Sequence, residues 1–80
     1  MTPEQCRAAR AFVNLTQPAL AKMAGVSPST LRDFEAGRRT PIANNLAAIR
    51  TALETAGVSF LDEGDVATGA GVSLRALTNL

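Results

Sequence analysis

The sequence predicts a mainly α fold, a bundle of four short helices followed by a short C-terminal β-hairpin. Three observations carry that expectation. Capping hydroxyl residues mark helix starts at Thr2-Pro3, Thr16 and Ser27-Pro28, with proline where no amide partner is lost. Gly25, Gly37 and Gly57 mark helix ends, where a left-handed backbone is cheap. Between these marks apolar residues recur at spacings of three and four, and after Gly57 the pattern changes to short β-type runs around a glycine-rich stretch. The eighty residues allow one small core, so the chain divides into a helical domain over 1–57 and a C-terminal extension over 58–80.

The first helix starts at Thr2-Pro3-Glu4-Gln5, with Gln5 placed to complete a capping box, and is expected to run to about Asn14. Cys6, Ala9 and Val13 form its apolar stripe, and Arg10 lies on the same face. A buried arginine needs an anion; the alternative is that Arg10 snorkels to solvent. The second helix is expected over Gln17–Ala24, capped by Thr16 and stapled by Leu15 and Leu20. Val26 pins the turn after Gly25, Ser27 caps a third helix over 28–36, and Val26 and Leu31 repeat the staple spacing. A fourth helix from about Ala43 to Ala56 presents Ile42, Leu46, Ile49 and Leu53 as one apolar face that closes the core. Asn44 and Asn45 open it, with phosphate contact or capping as alternative roles. Val58–Leu61 and Val72–Leu74 read as short strands. The stretch between them holds Gly64, Gly69 and Gly71 with Asp62, Glu63 and Asp65. It lacks the spaced oxygens of a calcium loop, so a solvated connection is expected.

The stretch Thr16–Gly37 is therefore a helix-turn-helix. Ala21 keeps the two helices close, since a larger side chain would wedge them apart. Leu31, Phe34 and the stem of Glu35 face inward, and Ser29, Arg32, Asp33 and Ala36 face out. Gln17, Ala21, Gly25, Val26, Leu31, Phe34 and the run Glu35-Ala36-Gly37-Arg38-Arg39 resemble the phage-repressor and Cro-type helix-turn-helix, the XRE-like family. The resemblance covers Pro3 to about Leu61. It implies a lambda-repressor-like bundle and sequence-specific binding to double-stranded DNA, with the helix over 28–36 in the major groove. It also supplies an anion for Arg10, because similar proteins pair an arginine at this place with the glutamate at the place of Glu35. Some short members of the family carry a Gly-Val-x-Phe-Ile and Gly-Val-x-Leu tail similar to this one.

On this reading Ser29, Arg32 and Asp33 lie nearest the base edges, beside Ser27 and Pro28 at the start of the helix. Gln17, Arg38 and Arg39 hold phosphates, with Thr40 adding a hydroxyl and Asn44 a further contact. Arg38 and Arg39 also suit the negative end of the recognition helix. Two residues depart from the family pattern. Pro28 occupies an early position where relatives often have a polar base reader. Asp33 puts a carboxylate on the groove face, where it repels phosphate unless it accepts from a cytosine amino group or pairs with Arg32.

Composition narrows the alternatives. Net charge is +1, weak for a nucleic-acid binder, but uneven: seven Lys and Arg against four Asp and Glu over 1–57, one against three over 58–80. A DNA-facing side and an acidic far side produce such an asymmetry. With no His and one Cys, no zinc site, other metal site or cofactor is expected, and no small-molecule ligand is evident. No nucleophile, base and orienting partner stand at workable spacings, so the protein is not expected to be an enzyme. An unpaired cysteine, no membrane-length apolar run and no export signal suit a cytoplasmic protein. A regulator acting as a homodimer is expected, its tail offering Val58, Phe60, Leu61, Val72, Leu74 and Leu77 as an interface; the alternative is a tail folded back near Phe12 and Leu53. An antitoxin-like autoregulator and a protein-interaction module on the same fold are the competing functions.

Overall fold

Four helices carry the chain in the computed structural model, which describes residues 1–61 and 64–66. They are α1 (Pro3–Phe12), α2 (Gln17–Ala24), α3 (Pro28–Glu35) and α4 (Ala43–Thr55). α2 packs against α3 and α4, and α1 packs against α3 and α4. Cys6 and Ala9 of α1, Leu20 and Ala21 of α2, Leu31 and Phe34 of α3, and Ile49, Ala52 and Leu53 of α4 meet in one core. Ala21 is fully buried, as the close crossing beside it demands. No helix among the described residues is long and apolar enough to cross a membrane.

Hydroxyl caps start three of these helices. The side chains of Thr2, Thr16 and Ser27 accept from the backbone N–H of Gln5, Ala19 and Thr30 at 3.1, 3.2 and 3.2 Å. Gln5 Oε1 accepts in return from Thr2 N at 2.9 Å, completing a capping box. α4 differs: Ile42 sits at its N-cap and makes no side-chain cap bond. Neither Asn44 nor Asn45 takes the capping role: Ile42 occupies the N-cap position, and both asparagines lie inside the first turn.

All four helices close in one way. A residue with positive φ follows each last turn, namely Asn14 (58°), Gly25 (70°), Gly37 (75°) and Gly57 (110°). The next residue then donates its N–H to the carbonyl five positions back: Leu15 to Arg10 (2.9 Å), Val26 to Ala21 (3.0 Å), Arg38 to Asp33 (2.9 Å) and Val58 to Leu53 (3.1 Å). These are Schellman closures. They correct the expected end of α1, which stops at Phe12 rather than Asn14. Asparagine tolerates the left-handed region, so Asn14 serves as a stop that a search for glycine passes over.

Two further expectations are corrected. Ile42 does not join the apolar face of α4: it is 70% exposed, while Ile49 and Leu53 are fully buried. Residues 58–61 form no strand, and no strand occurs among the described residues. Instead Val58 and Phe60 pack on the core, Gln5 Nε2 donates to the Leu61 carbonyl at 3.2 Å, and the Arg50 guanidinium lies 5.3 Å from the Phe60 ring centre. The expected second strand, Val72–Leu74, lies outside the described residues.

Candidate nucleic-acid interface

α3 is held from within by a single carboxylate. Glu35, its last residue, is 2% exposed, and a charge so placed is tolerable only when fully paired. Arg10 supplies two parallel bonds, Nε to Oε2 at 2.7 Å and Nη2 to Oε1 at 2.8 Å, the planar fork that guanidinium offers a carboxylate. Gln17 Nε2 donates to Oε1 at 2.9 Å and Cys6 Sγ to Oε2 at 3.2 Å. Burial pushes the Glu35 carboxyl upward, but the bonds from Arg10, Gln17 and Cys6 and the charge of Arg10 outweigh it, so its pKa lies below the ordinary value. The bond to Glu35 raises Arg10 against its own burial. Burial, then the bond and charge of Glu35, push the Cys6 thiol up to about 12.

Two more bonds fix α1, one to the connection that follows it and one to this end of α3. Arg10 Nη1 reaches the Leu15 carbonyl at 3.0 Å, and Arg7 Nη1 donates to the backbone carbonyl of Glu35. A cation there satisfies an otherwise unpaired acceptor and opposes the negative end of the helix dipole. Arg7 escaped the sequence reading. Its spacing of three from Arg10, which puts both on one face, is the signal that could have found it.

With its inner side fixed, α3 turns its outer side to solvent. Ser27, Pro28, Ser29, Arg32 and Ala36 are exposed, and Asp33 is partly so. At the helix start the Ser27 hydroxyl lies 3.2 Å from Ser29 Oγ and 2.8 Å from Thr30 Oγ1, so these hydroxyls form one small polar cluster. At the other end the chain doubles back. Ser29, Thr30 and Asp33 of α3, Arg39, Thr40, Pro41 and Ile42 of the connection, and Asn45 of α4 then line one groove of about 290 Å³.

The groove gathers four expected contact residues, Ser29, Asp33, Arg39 and Thr40. It adds Thr30, Pro41 and Ile42, which the sequence reading did not assign to a site, and Asn45, weighed there for phosphate contact or capping. Asn44 is exposed but does not line it. Arg38 Nη1 lies 3.7 Å from Asp33 Oδ1, so Asp33 meets Arg38 rather than Arg32. Gln17 is half-buried, with one amide hydrogen engaged by Glu35, which leaves a second N–H and its backbone amide for an outside partner.

Comparison with known proteins agrees with this geometry. No curated protein matches the chain. A family model described as helix-turn-helix matches residues 7–58, from the second turn of α1 through all the remaining helices to Val58. That span holds Glu35 with its partners Arg10 and Gln17, the turn at Gly25 and the exposed face of α3, and the chain belongs to the XRE-type, Cro/repressor-like helix-turn-helix family of DNA-binding regulators.

Proposed function

We propose that the protein is a sequence-specific regulator that binds double-stranded DNA with α3 in the major groove. One observation supports this above the rest: α3 is locked to α1 and α2 through Glu35 while its outer face stays open beside Arg39 and Thr40. A rigid, polar, solvated helix face bordered by cations is what base reading requires. Ser29, Arg32 and Asp33 read bases. Arg39, Thr40 and the remaining N–H of Gln17 hold phosphates, and Arg38 joins them when released from Asp33. The protein acts by binding and catalyses no reaction.

The test is selection of bound duplexes from a random pool, followed by titration of the preferred site. Arg32→Ala should cost about 1–3 kcal/mol on that site and relax one base position. Full affinity with an unchanged preferred sequence would remove Arg32 from the readers. Arg39→Ala should weaken binding to all sequences alike and flatten the salt slope by about one unit. A loss that depends on sequence would place Arg39 on a base. A protein with no salt-dependent binding to any duplex is instead an interaction module on this fold.

A further inference from the structure

We propose that Asp33 and Arg38 form an exchangeable ion pair that makes binding depend on a cytosine: on other sequences Arg38 stays with Asp33, and a cytosine amino group frees it for a phosphate. The inference rests on the major-groove reading above and assigns a selectivity device to the same site.

The pairing follows from the way α3 ends. In a Schellman closure the residue after the left-handed position lies against the one five back, and an apolar contact usually accompanies it. Val26 with Ala21 and Val58 with Leu53 fit that usage. At α3 the two places are held by Arg38 and Asp33, joined through backbone at 2.9 Å. Their side chains meet at 3.7 Å, an ion contact longer than a hydrogen bond. Arg38 is 69% exposed and Asp33 28%. Exposed pairs of this kind contribute little to stability, so nothing in the fold requires this one to stay closed.

A carboxylate on a DNA-reading face has a strict requirement. It only accepts hydrogen bonds, and cytosine N4 is the donor carboxylates take in the major groove. Opposite guanine O6 and N7 or thymine O4 it meets acceptors, and at adenine the N6 donor stands beside the N7 acceptor, so at these bases it keeps its counter-ion. Arg38 is that counter-ion, fixed beside it by backbone geometry. Once cytosine N4 satisfies Asp33, Arg38 can move to the phosphate backbone, so base recognition and phosphate contact strengthen together. Arg39, which lines the same groove and has no ion-pair partner among the described residues, holds phosphate on any sequence.

The test compares wild type, Asp33→Asn, Arg38→Ala and the double variant on the selected duplex and on mixed-sequence duplex, over a range of salt. Thermal unfolding of each variant confirms the fold. Asp33→Asn should lose the cytosine preference at one position. It should also bind mixed duplex roughly tenfold more tightly near 0.1 M salt, with a salt slope steeper by about one unit. Arg38→Ala should leave the slope on mixed duplex unchanged in the wild-type background and flatten it by about one unit in the Asp33→Asn background. If Asp33→Asn binds mixed duplex as wild type does, or keeps the cytosine preference, the exchange is refuted while the major-groove reading stands. If wild type binds no duplex, both fall together.

Discussion

At the scale of single residues, Glu35 joins fold to function. Its carboxylate receives bonds from α1 and α2 and is the last residue of the helix proposed to read DNA, so whatever holds Glu35 aims α3. Arg10→Met leaves a buried, charged Glu35 with only neutral donors and should destabilise the fold by about 3–5 kcal/mol. Adding Glu35→Leu should restore much of that, because two apolar groups replace two charges together. Denaturant midpoints of the single and double variants check it, and two small additive losses would mean the pair carries no such weight. The pH dependence should change sign as well. In wild type the Glu35 pKa is lowered, so its stabilisation is present above the unfolded carboxyl's pKa of roughly 4.3 and is lost as pH falls through the folded value. In Arg10→Met burial dominates and raises it. That variant should therefore be relatively more stable in mild acid and lose stability as pH rises through the raised value. Arg10 was legible because a cation on an apolar stripe demands an anion. The bonds from Gln17 and Cys6 were not, since nothing in spacing says which side chains from two other helices converge on one carboxylate.

At the scale of the helices, the starts of α1, α2 and α3 were legible to the residue, because a hydroxyl cap is a local signal. α1 ends at Phe12, two residues before the expected end near Asn14, because Asn14 takes the left-handed position that glycine takes after the other helices. Ile42 was misplaced because periodicity counts it as a core residue, whereas the N-cap position puts its side chain outside the helical stripe. That error yields a prediction. An exposed Ile at an N-cap offers no acceptor to the first-turn amides of α4 and loses little burial when removed. Ile42→Ser should therefore stabilise the protein by about 0.5–2 kcal/mol, read as a higher urea midpoint with an unchanged slope. A lower midpoint would show that the Ile42 side chain stabilises the folded state in some other way.

At the scale of the whole molecule, charge limits what one copy can do. Of the seven cations over 1–57, Arg7 and Arg10 hold Glu35, Arg38 meets Asp33, and Arg50 lies between Glu54, at 3.3 Å, and the Phe60 ring. Lys22, Arg32 and Arg39 make no ion pair among the described residues, a small number for phosphate contact. Two copies on paired half-sites would double both phosphate contact and base reading, which is why a homodimer remains the expected working form. Of the two roles weighed for the tail, its described start takes the fold-back one. Residues 58–61 pack on their own protomer, with Val58 and Phe60 on the core and Leu61 bonded to Gln5, so a dimer contact made by the tail is expected from beyond them. A chain ending at Gly57 should lose about 2–3 kcal/mol of stability through the lost burial of Val58 and Phe60. A chain ending at Leu61 should keep that stability and sediment as a monomer at micromolar concentration, while the full chain sediments as a dimer on a two-half-site duplex. A full chain that stays monomeric both free and on that duplex would end the dimer reading. A Leu61-terminated chain that still dimerises would move the interface from the tail to the helices.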